Sequence, residues 1–132
     1  MKEVSPLTFG PGTWLVMHVF AMICDDEKEN RKYFVFFIKK IIEKLPCQTC
    51  RKHAIEYITN NRLGENDELF RWTWQFHNSV NQRLSKPVIS YEESRLLYEN
   101  SNVILQMNGE DCSSCDGGAD TNKEINIVQY KR

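Results

Sequence analysis

The sequence predicts an all-α protein, a bundle of helices followed by a flexible C-terminal tail. Three observations predict it. Apolar residues recur at helical spacing in five successive segments with short joins. No stretch carries the pattern of a parallel sheet. After Met107 the periodicity stops, and "NGEDCSSCDGGADTN" is rich in Gly, Asp, Asn and Ser. The expected division is one helical domain over residues 1–107 and a tail over 108–132.

The first helix is expected over residues 12–24, where Trp14, His18 and Met22 repeat at i, i+4 with Leu15 and Val19 beside them. "DDEKEN" is a polar break. Residues 31–45 open with aromatics, but the spacing of Phe34, Phe37/Ile38, Ile41/Ile42 and Leu45 favours a helix. Pro46 ends it or begins the next. Residues 47–60 place Cys47, Cys50, Ala54 and Ile58 on one stripe. Asn66 reads as the N-cap of a helix from Asp67 to Leu84, stopped by Lys86-Pro87. "SYEE", residues 90–93, fits a capping box that opens a last helix through about residue 100.

A net charge of −1 offers no basic field for nucleic acid or an anionic membrane. The longest apolar runs, such as Tyr33–Ile38, are too short to span a bilayer. "MKEVSPLTFG" lacks the apolar stretch of a signal peptide, so a cytoplasmic location is expected.

Of the five cysteines, four form two C-x-x-C pairs, Cys47/Cys50 and Cys112/Cys115, and Cys24 is left over. The first pair has three readings: a zinc site, a structural disulfide or a redox dithiol. Residues 51–111 separate the two pairs, against the ~12–20 residues of a zinc ribbon or finger. A reducing compartment disfavours structural disulfides. A thioredoxin-like motif follows a strand, and none precedes Pro46. The local physics favours a reactive thiol. Pro46 places Cys47 in the first turn of a helix, where unpaired N–H groups and the dipole stabilise a thiolate. Arg51 adds positive charge, and His53 can add more when protonated. On another helix His77 and Asn81 lie at i, i+4 with Asn78 beside them. The bland reading of that set is an exposed polar face, and that of Trp14/His18 is core. Together these helices offer aromatic, imidazole and amide groups to a planar, polar-edged ligand.

On "GPGTWLVMH", "LPCQTCRKH" and "FHNSVNQRLSKP", in that order and spacing, the chain resembles the Erv/ALR family of FAD-linked sulfhydryl oxidases, and within it the small virus-encoded members. The resemblance covers about residues 9–98. It implies a four-helix bundle plus a short fifth helix cradling FAD. It implies a thiol oxidase that makes disulfides in protein substrates and passes the electrons through Cys47 and Cys50 to FAD and then to O2, giving H2O2. Cys47 would take the attack of the substrate thiolate, and Cys50 would abut the flavin. Gly10, Trp14, His18, His53, His77, Asn78, Val80, Asn81 and Lys86 match cofactor-contacting positions of the family. Tyr33 or a neighbouring aromatic joins them, and Tyr98 falls where the family has an aromatic near the adenine. Cys112 and Cys115 would shuttle electrons from substrate to the buried pair, the tail reaching at most ~40 Å from residue 100. The resemblance also implies a homodimer, a thioredoxin-like carrier as substrate, and host cytoplasm or virion as location. The alternative reading is a zinc-stabilised helical interaction module.

Two departures stand out. Pro11 follows Gly10 where the family commonly has Arg. Trp74 and Tyr91 occupy the positions of a second disulfide in cellular members, so packing is expected to replace that link. Cys24 is expected to be a buried free thiol.

Overall fold

The computed structural model describes residues 2–99, so the tail with Cys112 and Cys115 lies outside the described residues. Those residues form five α-helices, and no strand occurs among them: α1 (Pro6–Asp26), α2 (Arg31–Glu43), α3 (Gln48–Asn60), α4 (Leu69–Arg83) and α5 (Tyr91–Glu99). The all-α fold is as expected. Three boundaries differ, each for a local reason.

Helix α1 starts at Pro6, well before residue 12. Ser5 caps it, its Oγ accepting from the Leu7 N–H at 3.3 Å. Pro6 at the first helical position needs no hydrogen bond. Pro11 sits inside the second turn and deletes one backbone bond, a cost the helix absorbs. At 21 residues α1 is long and apolar enough to cross a membrane, which the short runs noted above did not suggest. Here it buries Met17, His18, Ala21 and Cys24 and packs most extensively on α4, then on α2 and α5.

Helix α3 starts at Gln48, with Cys47 as its N-cap and not in its first turn. The N-terminal segment braces this corner. The Val4 N–H donates to the Pro46 carbonyl at 2.7 Å, and a Glu3 carboxylate oxygen accepts from the Gln48 N–H at 3.1 Å.

Helix α4 starts at Leu69, and Asn66 does not cap it. Asp25, at the far end of α1, does so across space. Its two carboxylate oxygens accept from the N–H groups of Leu69 (2.7 Å) and Phe70 (2.9 Å). A carboxylate at a helix N-terminus meets both unpaired donors and the dipole. The Arg31 guanidinium holds the preceding loop by donating to the carbonyls of Asp67 and Gly64.

The capping box before α5 forms as expected: Ser90 N–H donates to Glu93 (3.0 Å) and Glu93 N–H to Ser90 Oγ (3.1 Å). These bonds lower the Glu93 pKa. The Trp74 and Tyr91 rings meet edge-to-face, centroids 5.6 Å apart, where a disulfide was absent from the sequence. The Trp74 indole N–H and the Asn78 amide both donate to the Ile89 carbonyl, and the Ile89 N–H donates back to Asn78 Oδ1. Packing and hydrogen bonds thus tie α5 to α4 without a covalent bridge.

The core is one cluster, with Phe34, Ile42, Leu69 and Phe70 fully buried. Each such side chain contributes roughly 1.5–3 kcal/mol of burial. Tyr57 stacks on Phe76 at 4.5 Å and joins α3 to α4. Cys24 is a buried free thiol, and burial, with Asp25 and Glu27, pushes its pKa up.

Candidate functional site

All five helices wall one cavity of about 730 Å3, within the range of small-molecule and cofactor sites. α1 contributes the stripe Gly10, Trp14 and Met17, spaced one turn apart on one face. α4 contributes Phe76, His77, Val80 and Asn81. The end of α2 adds Ile41 and Ile42, α3 adds Cys50 and Ala54, and α5 adds Tyr98. The walls are largely apolar, and the charged residues among them, Arg83 and Lys86, are both cationic.

Cys47 and Cys50 form a disulfide across the first turn of α3, with Cα atoms 5.2 Å apart. Their surroundings differ. Cys50 lines the cavity and Cys47 does not. Cys47 Sγ also accepts from the Cys50 N–H at 3.3 Å. On reduction that sulfur sits at a helix N-terminus, where a thiolate is favoured. The Arg51 guanidinium donates to the Leu45 carbonyl beside the motif. Among the described residues no cluster of three or more His, Cys, Asp or Glu is placed to hold a metal ion.

Behind the cavity wall lies a polar chain. His77 stacks on Trp14, centroids 4.2 Å apart and planes 7° from parallel. Its Nδ1 is 3.0 Å from His18 Nε2, and His18 Nδ1 is 2.9 Å from Thr73 Oγ1. His18 is fully buried. Burial, with His77 nearby, lowers its pKa to about 3, and burial, with Lys86 nearby, lowers that of His77 to about 4. Both imidazoles are neutral near pH 7.

Of the residues expected at the cofactor, Gly10, Trp14, Cys50, His77, Val80, Asn81, Lys86 and Tyr98 line the cavity. His18 stands behind the wall, hydrogen-bonded to His77. Asn78 is turned to Ile89, Tyr33 is 56% exposed, and neither Tyr33, His53 nor Asn78 is among the lining residues. Sequence reasoning missed Thr73, Phe76, Ile41, Ile42 and Arg83. Phe76 and the two isoleucines lay on the apolar stripes and read as core, and the signal for Arg83 was its place three residues before Lys86.

The family model described as Erv1/Alr matches residues 11–100. The chain belongs to the Erv1/Alr family. It is 40% identical over 99 residues to proteins named FAD-linked sulfhydryl oxidase from two African swine fever virus isolates, one from a Kenyan pig and one from a Malawian tick. Those alignments cover 72% of this chain and 83% of each relative. It is 32% identical over 85 residues to the mitochondrial FAD-linked sulfhydryl oxidase ERV1 of Saccharomyces cerevisiae, covering 59% of this chain and 43% of that one. The Erv1/Alr match takes in α1 from Pro11 and the whole of α2 to α5, and with them every cavity-lining residue except Pro6, Leu7, Phe9 and Gly10.

The cavity fits FAD on its own chemistry. Gly10 lines the cavity, and a Cβ there would meet no side chain or neighbouring element within 4 Å, so the wall is open at that point. Arg83 and Lys86 suit a pyrophosphate, the apolar walls with Trp14 and Tyr98 suit flat rings, and His77 and Asn81 offer polar contacts at the edge.

Proposed function

We propose that this chain is an FAD-linked sulfhydryl oxidase that makes disulfides in thiol-bearing proteins. The observation that carries the reading is the Cys47–Cys50 disulfide, which puts one sulfur in the wall of a cofactor-sized cavity and the other at a helix N-terminus outside that wall.

A substrate thiolate attacks Cys47 Sγ, forming a mixed disulfide and releasing Cys50 as a thiolate in the cavity wall. The second substrate thiol, as its thiolate, attacks the substrate sulfur of the mixed disulfide. The substrate leaves oxidised, and Cys47 and Cys50 hold its two electrons as a dithiol. Arg83 and Lys86 would hold the cofactor's phosphates, Trp14 and Tyr98 its rings, and His77 and Asn81 its polar edges. Bound there, FAD supplies the two-electron oxidation that restores the disulfide and hands the pair to O2 as H2O2.

In this reading Cys112 and Cys115 relay electrons from a thioredoxin-like substrate to Cys47. The enzyme works as a homodimer, in the cytoplasm or virion of a viral system. The exposed Val16 and Ile23 of α1 and Phe36 of α2 support an apolar contact between subunits. The purified protein is expected to be yellow, with one FAD released per chain on denaturation. A colourless protein that takes up no added FAD refutes the reading.

A further inference from the structure

We propose that Thr73 is a positioning residue that fixes the hydrogen-bonding polarity of the cavity wall, so that His77 accepts a hydrogen bond from the ligand and does not donate one. The polarity of the wall follows from the chain of hydrogen bonds, and only the ligand's identity rests on the FAD reading.

The chain has an end that can only accept. Thr73 Oγ1 lies 2.8 Å from the Phe70 carbonyl and donates to it. A hydroxyl has one hydrogen. Toward His18 Nδ1, at 2.9 Å, Thr73 is therefore the acceptor, and Nδ1 carries the proton. A neutral imidazole carries one proton, so His18 Nε2 is a bare lone pair. His77 Nδ1, 3.0 Å away, must then be the N–H donor. By the same count the lone pair of His77 is on Nε2. Every hydrogen in the chain points inward, from His77 to His18 to Thr73 to the carbonyl.

His18 and Thr73 have no exposed surface, so no water competes for these bonds. His77 lines the cavity, and its stacked face on Trp14 leaves its edge to take the remaining contact. Lys86 lines the same cavity, and its charge works with burial to keep the His77 ring neutral, with one lone pair. The wall at His77 therefore selects an N–H or O–H of the ligand, such as an imide, amino or hydroxyl group, and disfavours a carbonyl or bare ring nitrogen. A leucine or valine at position 73 would supply the same burial and no polarity.

Nitrogen-15 NMR of histidine side chains in the cofactor-free protein reads the tautomers directly. The expected wild-type result is His18 and His77 both protonated at Nδ1 and bare at Nε2. In Thr73→Val, of the same shape, the expected result is loss of that single tautomer at both rings and about tenfold weaker FAD binding, the order of one good hydrogen bond. Thr73→Ser is expected to restore both. A wild-type His77 protonated at Nε2 overturns the proposal. So does a Thr73→Val protein with unchanged tautomers and unchanged FAD affinity. Should Thr73→Val not fold, the wild-type spectrum and Thr73→Ser still decide. Should the tautomers be as stated and FAD not bind, the polarity stands and the FAD reading falls.

Discussion

Cys47 and Cys50 share one helical turn and face different surroundings, and the proposed mechanism gives them different roles. Cys50→Ala leaves the Cys47 thiol able to hold a single-thiol substrate as a mixed disulfide, with neither Cys50 nor a second substrate thiol to displace it. A Cys50→Ala protein mixed with a disulfide-activated substrate thiol is expected to accumulate the adduct, read by mass spectrometry, and Cys47→Ala is expected to accumulate far less. Equal trapping on both would remove the assignment. The two histidines make a pH prediction. Each has a folded pKa (about 3 for His18, about 4 for His77) below the ordinary 6.5. Stability tied to their neutral forms is therefore full above pH ~6.5 and is lost as pH falls toward the folded values. The slope in that window is at most about 1.4 kcal/mol per pH unit for each imidazole. Urea midpoints at pH 7 and pH 5 should fall together with acid in the wild type and fall less in His18→Phe. An equal fall in both would show that other groups carry the acid sensitivity.

At the scale of elements, the joins hold what the helices cannot. Asp25 caps α4 from the end of α1, so Asp25→Ala leaves two buried-end N–H groups without their acceptor. It is expected to cost about 1–2 kcal/mol in urea unfolding. Ser85, just past α4, has φ 54°, a left-handed conformation that glycine adopts freely. Ser85→Gly is expected to stabilise the protein by about 0.5–1 kcal/mol, and a loss of stability would contradict the strain argument. The five helices were legible because their apolar stripes repeat at 3.6 residues, and the Ser90–Glu93 box because both partners are local. The cap on α4 was not. Asn66 satisfies the local rule, whereas Asp25 reaches Leu69 through folding alone. The first turns of α1 carry little of the apolar stripe that marks its later part, and Pro11 is tolerated inside the helix because one lost bond near an end costs little.

At the scale of the molecule, the bundle makes a cavity from side chains that each read as core or surface in isolation. Trp14, Cys50, His77 and Lys86 were legible as a set because their motifs sit on separate helices and share one explanation. Thr73 was not legible, since a threonine on an apolar face carries no mark of its partner 55 residues away. The contact of Trp74 with Tyr91 was legible, because the two aromatics stand where the resemblance places a disulfide, and the structure adds the hydrogen bonds of Trp74 and Asn78 to Ile89. In the proposed mechanism Cys50 connects the thiol substrate to the cofactor cavity. The most direct measurement is anaerobic mixing of the FAD-loaded protein with dithiothreitol while flavin absorbance is followed. The wild type is expected to bleach and to recover on admitting air with H2O2 formed, and FAD-loaded Cys50→Ala is expected to stay yellow. Bleaching of Cys50→Ala at the wild-type rate would contradict the account.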